Sequence, residues 1–536
     1  MHRYLTQRVV FTRISLALTV FTLVGCSNEP APEAQFEPNL VHAMRHQIKE
    51  GFSTAQASED AMWLVTEMFG TPDNPKLPES DEDIADLISL ERLKKAAGPI
   101  AQGSGLYRKH CASCHGITGN GRGATAAIIN PYPRDYRLGI FKFKSTKRSA
   151  KPIRSDLVHQ IANGIQGTPM AKIPELSDDD VEALTDYVIY LSIRGELERT
   201  LVDLAIFDLD LEEGERLYDY QMAKWIGDLA ETRKSHNENT DDYVAATFKP
   251  EQLVIDGETI DEDLIEDFRD FKEDAKLLVN NQSIEEELAD FQNLVSTYHE
   301  MRKPFLQANA DDDEEEAEEP SWEDKLEALV DGFDLYDGAW EDCQDESADI
   351  VASWLDAADD IVEVPDPPSS IPVPKSRKEF VQFTQGDQAD ALADSVKRGQ
   401  ELFVGKVASC GKCHGEKGLG NGTTNDYDDW TKDWTSRAGL KPEDRERLIP
   451  LLARGALPPR NALPRNFAEG IFRGGSTPQD LYRRIMAGIA GTPMPGATFV
   501  DGQFEQDDVW HIINFVRSLQ TAPVEQTPKT EQTAAK

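Results

Sequence analysis

The sequence predicts an all-α chain in which two related helical domains flank an acidic, helical and partly disordered insert. Three observations carry that prediction. One set of short motifs occurs twice, once in each half of the chain. Apolar residues recur at helical spacing at the end of each copy and through the middle of the chain. The negative charge is confined. Residues 201–390 hold 55 Asp and Glu against 14 Lys and Arg, a deficit equal to the whole formal net charge of −41. General acidification of the surface would have spread that excess over both copies. Nucleic-acid binding is disfavoured, since neutralising phosphates needs a basic face.

At the N-terminus, Arg3, Arg8 and Arg13 precede an apolar run from Ile14 to Gly25. The run is short for a membrane span and reads as a signal h-region. It ends Leu23-Val24-Gly25-Cys26, which resembles the lipobox of bacterial lipoproteins. That resemblance makes residues 1–25 a signal peptide and Cys26 a lipid-modified residue that anchors the mature chain to a membrane. An ordinary secretory signal is the alternative, and both readings export the protein. Residues 26–96 form a polar extension with a helix expected near Leu40–Phe69 and no evident chemistry.

The first domain is expected over 97–197. It contains Cys111-Ala-Ser-Cys114-His115. Thiols at i and i+3 share one side of a helical turn, so both can reach the vinyl groups of one porphyrin. The next residue then turns its imidazole toward the iron. Cys-x-x-Cys-His is the attachment pattern of c-type haem. A redox dithiol or half of a zinc site would also use two such cysteines. A second complete copy, Cys410-Gly-Lys-Cys413-His414, makes those readings improbable. Two covalently attached haems are therefore expected.

The copies share more than this motif. Pro133–Phe141 (PRDYRLGIF) matches Pro464–Phe472 (PRNFAEGIF), and Leu157–Met170 matches Leu481–Met494. Both longer segments end Gly-Thr-Pro-Met. Haem iron takes a histidine or a methionine as its second ligand. A lone methionine beside a helix is usually core packing. Here both copies place one after the same pattern, which nominates Met170 and Met494. Met486 has only Ala162 as its counterpart, and His110, His159 and His511 have no matched histidine. Arg134 and Arg465 occupy matched places, where a guanidinium could meet a haem propionate or simply solvent.

Residues 198–384 read as the acidic region. Amphipathic patterns run through Leu211–Leu229, Leu264–Leu278, Ile284–Tyr298 and from Trp322. The block Ala310–Pro320 (ADDDEEEAEEP) is expected to be disordered. Val364–Pro374 (VPDPPSSIPVP) reads as a stiff linker. Cys343 lies in a helical stretch and reads as a small buried hydrophobe. The second domain is expected over 385–522, with an insert near Asn425–Leu463, and 523–536 form a tail.

On these residues, both domains resemble class I c-type cytochrome domains. The resemblance implies one haem each with His/Met ligation: His115 with Met170, and His414 with Met494. It also implies crossed first and last helices, with Gly103 and Gly399 permitting close approach, and Tyr107 and Phe403 facing Tyr187 and Phe515. Relatives supply a proline carbonyl to the proximal imidazole, but no matching proline follows either motif here. No phosphate loop, zinc-helix motif or nucleophile elbow is present. The resulting expectation is a non-enzymatic, membrane-anchored dihaem carrier relaying single electrons in a respiratory chain at the periplasmic side of a bacterial envelope. The alternatives are a dihaem peroxidase, and a haem subunit of a larger oxidoreductase. The acidic middle suits a redox partner with a basic docking face, or solubility alone.

Overall fold

The computed structural model describes residues 33–78, 83–234, 253–255, 257–275, 284–309 and 319–520. Cys26, most of the 310–320 block and the tail lie outside them. Helices dominate. Among the described residues the only paired strands are Val254–Ile255 and Glu258–Thr259, in a small antiparallel hairpin. No described helix is long and apolar enough to cross a membrane.

The first domain is built around one long helix, Asp178–Asp208. Ser177 starts it with a capping box, its hydroxyl accepting from the Asp180 amide while the Asp180 carboxylate accepts from Ser177. Apolar residues on several faces bury against different partners. Tyr187 meets Tyr107 at 4.9 Å between ring centroids, the aromatic pair expected from the sequence. The helix continues past residue 197 and carries Leu201, Val202 and Ala205 into the same core.

The described part of the N-terminal extension carries two longer helices, Leu40–Glu50 and Ala55–Phe69, with a turn between them, followed by two short ones, Ile84–Leu87 and Leu90–Ala96. Ala57, Ala61, Leu64, Val65 and Phe69 join the core of the first domain. Helix Leu40–Glu50 turns Val41 and Met44 the other way. They pack with Trp434, Leu448 and Leu451, which belong to the insert of the second domain. Asp433, in that insert, accepts hydrogen bonds from Arg45 at 2.6 Å and from Arg199 at 3.0 Å. The extension therefore staples the two domains together. Beside it, His42 and His46 converge on one carboxylate oxygen of Asp203, at 2.8 and 2.7 Å.

The acidic region has its own core. Helices Tyr220–Lys234, Glu262–Asp274, Ile284–Asn309 and the first half of Trp322–Leu355 bury Trp225, Phe268, Phe271, Phe291, Tyr298 and Phe333. The second half of Trp322–Leu355 crosses to the first domain, where Cys343 and Trp354 are buried. Trp354 meets Phe141 edge-on at 5.7 Å.

The second domain crosses Ala389–Val404 over Asp508–Ser518, with Phe403 against Phe515 at 5.2 Å. Gly399 makes the crossing possible: a Cβ there would lie 1.9 Å from the His511 carbonyl oxygen. The expectation for Gly103 is corrected. Its surroundings are open, and it sits at φ +85° in a turn before a short helix, Leu106–His110. The first copy begins its helix too late for Gly103 to reach the crossing.

Candidate functional site

Each Cys-x-x-Cys-His motif folds as one helical turn, Ala112–His115 and Gly411–His414. The backbone then reverses. The Gly121 amide donates to the His115 carbonyl at 2.9 Å, and the Gly420 amide to the His414 carbonyl at 2.8 Å. The Gly123 and Gly422 amides donate to the carbonyls of Cys114 and Cys413 at 3.0 and 3.1 Å. Two loops of different sequence thus make the same bonds. None of the four cysteines is in a disulfide, and all four are half-buried, as are both histidines.

The imidazoles are oriented alike. His115 Nδ1 lies 3.1 Å from the carbonyl oxygen of Arg134, and His414 Nδ1 lies 3.3 Å from that of Arg465. A carbonyl only accepts, so Nδ1 carries the proton and Nε2 keeps its lone pair for a metal. His115 stacks on Tyr136 at 5.0 Å, and His414 on Phe467 at 4.7 Å. Tyr136 and Phe467 stack in turn on Phe141 and Phe472. Burial pulls the His115 imidazole down to about 4 and also lowers that of His414, so both are neutral at physiological pH.

Sequence reasoning left the acceptor for these imidazoles unassigned. It is the backbone of the arginine in each Pro-Arg pair, in matched places. The guanidinium groups go elsewhere. That of Arg134 lies over the Trp430 ring, 3.4 Å from its centroid, and that of Arg465 pairs with Glu469 at 2.8 Å.

The methionine loops also match bond for bond. Ile165 donates to the Met170 carbonyl at 2.7 Å, and Ile489 to the Met494 carbonyl at 3.1 Å. The Thr168 and Thr492 hydroxyls bond the Ile165 and Ile489 carbonyls and accept from the amides of Met170 and Met494. Gly167 and Gly491 hold φ +71° and +70°. Both methionines are half-buried.

Each loop meets the other domain across the boundary. A Cβ on Gly167 would stand 2.6 Å from Ile471 of the second domain, and one on Gly491 would stand 3.1 Å from Ile140 of the first. Each domain's Gly-Ile-Phe segment thus touches the other's Gly-Thr-Pro-Met segment, an isologous contact within one chain. Trp430 lies against Gly491 and under Arg134, and its indole donates to the Asp135 carbonyl at 3.2 Å.

The donor set suits haem in both places: paired cysteines outside any disulfide, a neutral imidazole protonated on Nδ1, and a thioether on an ordered loop. It suits a redox dithiol poorly. Burial pushes the Cys111 thiol up to about 12 and that of Cys410 up to about 11, whereas such dithiols need a lowered value.

The family model for cytochrome c matches residues 100–192 and 396–520, together under half of the chain. No curated protein matches it. Among solved structures, the reducing HAO-like protein complex of Kuenenia stuttgartiensis aligns at 16% identity and a TM-score of 0.35, over 81% of this chain and 97% of that one.

Proposed function

We propose that this chain, which carries two cytochrome c domains, is an exported dihaem electron carrier, held to a membrane by lipid on Cys26. Haem-based electron transfer follows from the domains themselves. The finer reading adds the count of two haems, their ligands, the anchor and a place in a respiratory chain on the periplasmic side. The observation that supports it best is the bond-for-bond agreement of the two sites, down to the imidazole–carbonyl hydrogen bonds.

When bound, haem c supplies a one-electron iron couple. The chain's own residues determine how it is held. Cys111, Cys114, Cys410 and Cys413 would form the thioether links. The Arg134 and Arg465 carbonyls keep a proton on Nδ1, which fixes the tautomer and leaves Nε2 of His115 and His414 as the nitrogen that would bind the iron. Tyr136 and Phe467 hold each ring in plane. Met170 and Met494 would supply the sixth ligands, and methionine ligation raises the potential.

The wild-type mass should show two haems, and Cys111→Ala with Cys114→Ala should remove one. Met170→Ala and Met494→Ala should each abolish one Fe–S charge-transfer absorption and lower one potential. A single haem by mass, or a resting high-spin site that turns over peroxide, would sink this reading.

A further inference from the structure

The first domain reaches across the boundary and grips the loop that carries Met494. The Arg148 guanidinium donates from Nη1 to the carbonyls of Ile489 and Met494, both at 2.8 Å, and from Nη2 to that of Thr492 at 2.7 Å. The first and last of those residues already close the loop on itself, because Ile489 donates to the Met494 carbonyl. A planar fork with five N–H groups and no acceptor can serve three converging carbonyls, whereas a lysine ammonium cannot match that geometry.

Arg148 has no counterpart in the second domain. Residues 142–156 separate Phe141 from Leu157, whereas only 473–480 separate the matched Phe472 from Leu481. The extra residues form a tight loop that positions Arg148. The Thr146 side chain is fully buried and donates to the Lys151 carbonyl at 2.6 Å. The Lys147 amide donates to the Asp360 carbonyl at 2.8 Å, and the Val362 amide to the Ser145 carbonyl at 2.9 Å. The segment entering the Pro-rich linker thus braces the loop from behind. In the opposite direction the grip is weaker: Arg473 donates only to the Gly167 carbonyl, at 3.2 Å.

We propose that Arg148 is a positioning residue for the second haem site, fixing the Met494 loop from the other domain so that the thioether stays on the iron. Methionine ligation in the second domain then depends on the first being docked, and the reverse dependence is slighter. This rests on the assignment of Met494 as an iron ligand.

The test uses the full-length haem-loaded protein. In the reduced state each iron-bound methionine gives its own upfield-shifted methyl resonance, and Met170→Ala and Met494→Ala assign the two. In the oxidised state, displacement of each methionine by added imidazole reads how readily its loop opens. Arg148→Ala should speed displacement of Met494 by about tenfold or more, the size expected for losing charge-assisted hydrogen bonds. The Met170 site, an internal control for folding, should not change. Arg148→Lys keeps the charge without the fork and should restore little; it is read by the same criteria where the alanine variant fails to fold. Arg473→Ala should shift Met170 displacement by a smaller factor. Unchanged displacement of Met494 would overturn the inference and leave its ligation intact. Equal acceleration at both sites would overturn it too, because Arg148 would then serve only general docking. A wild-type protein without a Met494 methyl resonance would overturn the ligand assignment and this inference with it.

Discussion

At the scale of residues, two kinds of group do the positioning. Backbone carbonyls orient the imidazoles, and buried charged side chains fix the N-terminal extension. The latter give a pH dependence. Burial, reinforced by the Arg199 charge, pulls His42 from 6.5 down to about 3. Burial would raise Asp203, but hydrogen bonds from His42 and His46 outweigh it and hold that carboxyl below its usual range. Arg45, Arg199 and Asp433 also face this cluster. A histidine held neutral in the fold takes up its proton only on unfolding, so its contribution is present above 6.5 and is lost as pH falls toward 3. The depressed carboxyl adds to the loss in the same direction. Stability should therefore fall on acidification below 6.5, at up to about 1.4 kcal/mol per pH unit for one such group. Urea unfolding of wild-type and His42→Asn across that window checks it: the variant should show the shallower dependence, and equal slopes would refute the assignment. The likeness of the two motif turns and of the two methionine loops was legible in the sequence, because an attachment motif and a four-residue loop are local patterns that a repeat exposes. The imidazole acceptor was not. Every residue carries a carbonyl, and only the folded chain shows which one arrives. Arg148 was hidden for the opposite reason: comparing the copies discards whatever one copy lacks.

At the scale of elements, helix Leu40–Glu50 has the most to lose from a single change. It touches both domains, and its ion pair with the insert centres on Asp433, whose side chain is 7% exposed. Asp433→Asn would leave Arg45 and Arg199 without their shared counter-charge. Removing one partner of a buried pair costs about 3–5 kcal/mol. Amide exchange in Leu40–Glu50 should quicken while that in Asp508–Ser518 holds, and uniform exchange across both would show that Asp433 is not what pins the extension. A helix near Leu40–Phe69 was readable from its apolar spacing, although the structure divides it in two. Its docking was not readable. The pairing residues lie 388 positions apart, and small alanines at the interface leave a weak pattern. The crossed helices were predicted by family resemblance for both copies, and only the second needs its glycine for the contact.

At the scale of the whole molecule, charge and connection matter most. The excess acid lies between the two cytochrome c domains, and Asp311–Glu319 places eight acidic residues in nine. If that region attracts a basic partner, the second-order rate of electron transfer should fall steeply with salt, since such steering is screened beyond about 8 Å at physiological ionic strength. Neutralising Asp311–Glu319 should flatten the slope and leave both haem potentials nearly unchanged. Stopped-flow rates over an ionic-strength series decide it, and identical slopes would reduce the block to a solubilising spacer. The reciprocal contact of each methionine loop with the other domain's Gly-Ile-Phe segment has a further consequence. Two separate single-haem proteins meeting in this way would find each other at a rate set by their abundance. Covalent connection replaces that dependence with a fixed effective concentration. Both contacts therefore persist in a dilute compartment as in a crowded one, and expression level ceases to control whether the two domains meet.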